Sequence, residues 1–377
     1  MSFGEAAKEV WYSCGTDVTV STVRRTSQRH GRAAEAVSRE EVKRLEAEAP
    51  LSAERPGQLL VSVDGALIPL VNGEWREVKS MAVGQFETRW RVKKGKTEVK
   101  TKELTYFSRS YRVREFERFA LGELHRRGVD NARRVVAVND GAEWIQQFLD
   151  YHCPEAVRII DFSHAAGYLA TAGKAIYGEG TKQFKRWFRR ARRRLKRRPP
   201  QQTLANLALI YKKAETEEQE AEVDCAYHYL EKRLLMIDYP HFQRRELPIG
   251  SGSVESSHKH VIHSRLKGAG MRWAPDHVDP MLALRNLLSN DRWHEGWQDI
   301  VAFHQEQRAA RFRMRAAAKR PPPPEPITFA SLEKAGLLSK LPPEQPLASE
   351  KPNKWKPAPD HPWRNDKWPT KEAWRWK

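Results

Sequence analysis

The sequence predicts a mixed α/β layer fold, and three observations predict it. Three β-type runs follow one another between residues 58 and 111, two shorter β-type runs each lead straight into a helical pattern, and between residues 171 and 247 the β signal gives way to helices. Consecutive strands followed by strand-helix units build one sheet with helices laid on it.

Taken in order, "FGEAAKEVWYSCG" and "TVSTVRRTSQRHG" form two short helices around the turn-forming Gly15-Thr16-Asp17. That is the outline of a helix-turn-helix, with Ser21, Thr22, Arg24, Arg25 and Gln28 available on the second helix; a plain helical hairpin fits the same pattern. "REEVKRLEAEAP" is charged, ends at a proline and reads as a short linker helix. "QLLVSVDGALIPL", "WREVKSMAVGQFETRWRV" and "ELTYFSRSYR" are strands, and "VREFERFALGELHRRGV" has apolar residues at helical spacing. "RRVVAVNDGAEWIQQFLDYH" is strand, turn and helix, and "VRIIDFSHAAGYLATAGKAI" repeats that pattern. This order of elements is that of a mixed sheet of the ribonuclease H type, a fold that presents acids at its strand ends.

The expected organisation is a helical DNA-binding region over 1–50, the first part of a catalytic core over 58–170 and an all-α, strongly basic insertion over 171–247. The last part of the core follows over 248–318, then a mostly irregular tail over 319–377. Within the insertion, "KQFKRWFRRARRRLKRRPP" carries one apolar stripe of Phe184, Trp187, Phe188, Ala191 and Leu195. Almost all its other residues are basic, so Lys185, Arg186, Arg189, Arg190, Arg193 and Arg194 are expected on nucleic-acid phosphates, against the plainer reading of a solvated face. The tail begins at "KRPPPPEP" and strings Trp355, Trp363, Trp368, Trp374 and Trp376 along a polar chain.

Lys and Arg outnumber Asp and Glu by 67 to 48, giving a net charge of +19 over 377 residues. That excess points to a polyanionic partner, double-stranded DNA before an anionic membrane surface. No apolar run reaches the roughly 18 residues of a membrane span, and the start lacks the apolar core of a signal peptide, so a soluble cytoplasmic protein is expected. Cys14, Cys153 and Cys225 never form C-x-x-C and read as ordinary, partly buried thiols.

Four acids stand out. Asp64 ends "LVSVD", Asp140 ends "VVAVND" and Asp161 ends "VRIID"; each taken singly is also a turn signal. Glu255 follows the glycine-serine run in "LPIGSGSVESSHKH", where an acid in a first helical turn is favoured by the helix dipole whether or not it binds anything. Carboxylates gathered at strand ends repel one another and are tolerated when a dication neutralises them, and magnesium prefers such oxygen ligands. His258, His260 and His263 lack a cysteine or acid at ligand spacing, so they are expected to be exposed or DNA-facing rather than bound to zinc.

The succession "VSVDG", "NDGAEWI", "CPEAVRIIDFSHA", "GSGSVESSHK" with "RLKGAGMRW", and "HPWR" at 361–364 resembles the DDE transposases of bacterial insertion sequences of the Kra type. Those are relatives of the Mutator-like group, with a ribonuclease H-like core, and the resemblance covers roughly residues 1–300 plus the tail motif. It implies a catalytic, metal-holding triad of Asp64, Asp140 and Glu255 with two Mg²⁺ or Mn²⁺ ions, and Asp161 and His164 as accessory residues. A rival triad takes Asp161 as second acid. It also implies phosphodiester hydrolysis followed by strand transfer, with Arg24, Arg25, Lys259, Arg265, Lys267, Arg272 and the insertion's basic residues on the DNA. A homodimer or higher oligomer on element ends is the expected assembly. Members of the group usually carry a cysteine-bearing segment ahead of the helix pair, and this chain starts at the pair, as a shortened reading frame or a remnant would. A catalytically inactive DNA-binding derivative and a structure-selective nuclease are the alternatives.

Overall fold

The computed structural model describes residues 2–91, 96–318 and 328–336. The chain divides into two compact units, Met1–Phe312 and Arg313–Lys377, and everything that positions the candidate site lies in the first. In the second unit a short helix, α14 (Phe329–Lys334), stands in a stretch read as irregular. The five tail tryptophans and the motif at 361–364 lie outside the described residues.

Five strands form one sheet: β1 (Leu59–Pro69), β2 (Trp75–Arg91), β3 (Lys96–Arg109), β4 (Val135–Asn139) and β5 (Val157–Ile160), in the order β3-β2-β1-β4-β5. β1 and β2, and β2 and β3, pair antiparallel, while β4 lies parallel to β1 and β5 parallel to β4. All five expected strands are present, and the sheet is mixed. β3 begins well before "ELTY", because its first half pairs with the outer half of β2 beyond a bulge at Val83 and Gln85.

Side chains alternate across β1, and the two faces bury different helices. Leu59, Val61 and Val63 pack with Met81, Val83 and Phe107 under α3 (Val113–Arg126) and α4 (Glu143–His152). On the other face, Leu60 joins Val136 and Val138 under α5 (Phe162–Tyr177) and the insertion. The insertion is wholly helical: α6 (Lys182–Arg197), α7 (Pro200–Tyr211), α8 (Glu217–Glu231), a 3-10 turn at Leu234–Ile237 and α9 (Tyr239–Arg244). Further along that face, Ala66 and Ile68 pack with Val254, Val261 and Ile262 from α10 (Gly252–Ser257) and the π-helical turn His258–His263. α11 (Ser264–Leu266), α12 (Pro275–Ser289) and α13 (Trp293–Ala318) complete the order.

The N-terminal region departs from the expected pair of short helices followed by a separate linker helix. α1 (Phe3–Cys14) is short, but α2 runs unbroken from Val20 to Glu48 and absorbs the linker. The one weak helix former between Thr19 and Ala49 that could interrupt it is Gly31, and Gly31 serves packing: a Cβ there would stand 2.3 Å from the Pro280 carbonyl oxygen of α12. Gln28, expected to be available for contacts, is buried in that helix. Forked ion pairs from Glu41 to Arg126 and from Glu46 to Arg118 bind α2 to α3. Gly31→Ala is therefore expected to force α2 off α12 and to destabilise the protein by about 1–3 kcal/mol, measurable by chemical denaturation.

One smaller expectation is also corrected. Cys153 is buried, but Cys14 and Cys225 are exposed, because each lies on the outward face of its helix. No described helix is long and apolar enough to cross a membrane.

Candidate active site

The site forms where β1 and β4 part. Their ladder covers only Leu59–Val61 against Val135–Ala137. Beyond it the Asn139 side chain bridges the gap, its Oδ1 accepting from the Val63 N–H. Asn139 is buried, and its side chain satisfies a donor that the split would otherwise leave unpaired. Asp64 follows on β1 and Asp140 follows β4, so the two acids lie beyond the end of the shared ladder. Crevices at the carboxyl ends of parallel strands are where open α/β sheets bind ligands.

Asp64 shares the face of Leu60 and Ser62, the face on which α10 docks. Its Oδ1 accepts from the Gly65 N–H at 2.7 Å. Burial, followed by the charges of Asp140, Glu77 and Glu255 and opposed by the Gly65 N–H, pushes its carboxyl up to about 6. Three acids from distant parts of the chain thus act on Asp64 with no cation opposing them among the leading influences.

Asp140 is held by its turn. Its Oδ1 accepts from Ala142 N–H at 2.9 Å, and Gly141 sits at φ +82°. A Cβ on Gly141 would lie 2.5 Å from Ile160 Cδ1 and 2.7 Å from Arg233 Nε, so only glycine fits. The end of α8 clamps this turn from the insertion. The Tyr229 hydroxyl donates to the Asp140 carbonyl, and Arg233, just past α8, donates through Nη2 to the Gly141 carbonyl at 2.8 Å. Arg233 lies over the Tyr229 ring at 4.0 Å, and Tyr229 stacks on Tyr168 with centroids 3.7 Å apart. His164, an expected accessory residue, stands at the edge of these two rings rather than at the acids. Tyr229→Phe keeps the stack and removes the hydroxyl. It is expected to cost about 1 kcal/mol of stability, read by thermal melting.

Asp161 is buried and engaged at both oxygens. Oδ1 caps α5 by accepting from His164 N–H at 2.8 Å, and Oδ2 accepts from Ser251 N–H at 2.7 Å. The Phe162 N–H donates to the Ile249 carbonyl beside it. Asp161 therefore ties the end of β5 to the loop that delivers Glu255.

The serines of that loop have a structural use. Ser253 and Ser257 are buried beneath α10, and Ser253 Oγ donates to Ser62 Oγ at 2.9 Å. Ser257 reaches Ser108, which in turn bonds Ser80, and Ser256 bonds the Tyr106 hydroxyl at 3.0 Å. Small side chains let the helix approach the sheet closely, and the hydroxyls satisfy one another. Glu255 is left exposed on the opposite side, facing outward beside Asp64.

The π-helical turn after α10 brings His258 inward, contrary to the expectation that it is exposed. Its Nδ1 lies 3.9 Å from Asp64 Oδ2, and its Nε2 is buried without a partner. Burial holds it down to about 4, so at neutral pH it is an uncharged imidazole and no counter-ion for Asp64. Such π-turns within helices often occur at functional sites. His260 and His263 are exposed, as expected.

The expected DNA-contacting residues fall into two groups. Arg24, Arg25, Lys259, Lys267 and Arg272 are exposed. So are Lys185, Arg186, Arg189, Arg190 and Arg193 on α6, with Arg194 half-buried, and none of these six pairs with a carboxylate among the described residues. Arg265 is different: its guanidinium lies 4.3 Å from the Phe3 ring centre and 4.9 Å from that of Trp273, against two rings that meet edge to face where α1 touches the segment after α11.

No protein-family model matches this chain, and no curated protein matches it. The reading of the site therefore stands on its geometry. The donor chemistry of Asp64, Asp140 and Glu255 fits a hard dication, since oxygen ligands are what Mg²⁺ and Mn²⁺ take and their mutual repulsion is what such an ion relieves. Among the described residues, no three His, Cys, Asp or Glu side chains are close enough to enclose an ion as they stand. Binding would require the three carboxylates to draw closer together than they stand.

Asn139, Glu77, Tyr229 and Arg233 were not singled out in the sequence. Asn139 is the residue before Asp140, and Tyr229 and Arg233 stand four apart at one helix end, a spacing that places them on one face. Glu77 gave no such signal.

Proposed function

We propose that this protein is a metal-dependent DNA transposase with a ribonuclease H-like core. The strand order β3-β2-β1-β4-β5, three antiparallel strands followed by two parallel ones, supports that core. The observation that carries the proposal is the convergence on Asp64 of two acids, Asp140 and Glu255, from the end of the adjacent parallel strand and from a helix beyond an all-α insertion.

Asp64, Asp140 and Glu255 would hold two Mg²⁺ or Mn²⁺ ions, which supply activation of an attacking oxygen and stabilisation of a leaving one in phosphodiester transfer. The chain's own part is placement. Asn139, Tyr229 and Arg233 fix the Asp140 turn, Asp161 fixes the loop before Glu255, and neutral His258 sits against Asp64 without neutralising it. Lys185, Arg186, Arg189, Arg190 and Arg193 of α6 would take the phosphate backbone of element ends or target. Water attacks first and the freed 3′-hydroxyl second, and no covalent enzyme intermediate is needed.

The test is cleavage of labelled DNA carrying the gene's own flanking sequence, with and without Mg²⁺ or Mn²⁺. Metal-dependent cuts at the element boundary are expected. Cuts in branched DNA irrespective of sequence would make the protein a structure-selective nuclease instead. A second reading, a non-catalytic DNA-binding derivative, is favoured by the open spacing of the three acids; it predicts tight binding of the same DNA and no cut with either metal.

A further inference from the structure

The two sides of α6 differ in a way that a simple basic helix does not require. One side is an open groove lined by Arg190, Arg193, Arg194, Arg197, Arg198 and Gln202, with no apolar side chain. The other is a groove in which aromatic rings alternate with cations: Phe162, Phe184 and Phe188 with Arg189, Arg192 and Lys196. In this second groove Phe184 and Phe188 stack nearly parallel, with centroids 5.6 Å apart and planes 15° apart. Both are half-buried, although the stripe they belong to buries Ala191 and Leu195 fully. Arg192 lies 5.4 Å and Lys196 5.6 Å from the Phe162 ring centre. Lys185, Arg189, Arg192 and Arg193 pair with no carboxylate among the described residues.

We propose that this second groove binds an unpaired nucleic-acid strand, its bases against Phe184 and Phe188 and its phosphates on the flanking cations. The choice between strand types follows from chemistry. A duplex offers phosphates outward and keeps its bases stacked inside, so it suits the all-polar groove and would leave the phenylalanines uncovered. An unpaired strand offers both ring faces and phosphates, and alternating aromatics and cations is what such strands recognise. Phe162, buried at the floor of the groove, directly follows Asp161 at the end of β5. The inference rests on the nucleic-acid part of the proposed function but not on catalysis.

The experiment measures the affinities of the full chain for a fluorescein-labelled oligothymidylate of about 16 nucleotides and for a duplex of equal length, at one fixed salt concentration. The readout is their ratio in wild type, in Phe184→Leu/Phe188→Leu, which keeps apolar volume, and in Phe184→Tyr/Phe188→Tyr, which keeps the rings. Melting curves accompany each variant. The oligothymidylate-to-duplex ratio is expected to fall about tenfold with leucine and to be retained with tyrosine. An unchanged ratio in the leucine variant, or duplex binding by wild type without oligothymidylate binding, overturns the inference and leaves the duplex-binding reading intact. Binding of neither probe overturns both.

Discussion

Asp64→Asn and Glu255→Gln are each expected to lower metal-dependent DNA cleavage by about three orders of magnitude or more while leaving DNA affinity within a few-fold of wild type. Electrostatic stabilisation by a bound dication is worth several kcal/mol, and each ~1.4 kcal/mol is tenfold in rate. In the proposed function DNA affinity would come from cations on other elements, so it should survive. The same substitutions should raise the melting temperature in the absence of metal. Burial and the charges of Asp140, Glu77 and Glu255 work against an ionised Asp64, and an amide removes one member of that repulsion. Added Mg²⁺ should then stabilise the wild type and not the variants, since an ion stabilises a fold only as far as it binds it. Variants that keep full cleavage, or a wild type whose melting is indifferent to Mg²⁺ and Mn²⁺, would count against the metal site.

Asp140 and Asp161 are expected to separate by the kind of damage they cause. Asp161→Ala removes the cap of α5 and leaves the Ser251 N–H without its acceptor, both at a buried position. The two losses together should cost about 2–4 kcal/mol and slow cleavage through displacement of the Glu255 loop. Asp140→Asn keeps an acceptor for Ala142 and leaves the Tyr229 and Arg233 clamp on the backbone carbonyls intact. It should therefore abolish cleavage with little change in stability. Denaturation and cleavage measured on both variants decide the matter. Full stability with lost cleavage in Asp161→Asn, alongside retained cleavage in Asp140→Asn, would transfer the second-acid role to Asp161.

Much of the site was legible because strands announce themselves by composition and end at turn residues. Asp140 and Asp161 were visible as acids closing apolar runs and stand just past β4 and β5, whereas Asp64, read the same way, lies inside β1, which runs on to Pro69 because its outer half stays paired with β2. The difference in role between Asp140 and Asp161 was not visible. It depends on which backbone N–H groups come to meet each carboxylate, and Ser251 is ninety residues from Asp161 along the chain. His258 was misread for a similar reason: with no cysteine or acid at ligand spacing it was expected to be exposed or DNA-facing, but a π-helical turn brings it to 3.9 Å from Asp64. Arg265 looked like its neighbours Lys259 and Lys267, yet only Arg265 meets the rings of Phe3 and Trp273.

The sequence by itself determined the element order, the charge excess, the all-helical insertion and the candidate acids, since each depends on composition or on periodicities of two and 3.6 residues. Only the tertiary structure decided that α2 is one helix bound to the body, that β1 and β4 part at Asn139, and that α8 clamps the second acid. It also decided that the serines after Gly250 seat a helix on the sheet. These are contacts between residues far apart in the chain, and no local pattern carries them, because their energy exists only once the sheet has brought both partners together.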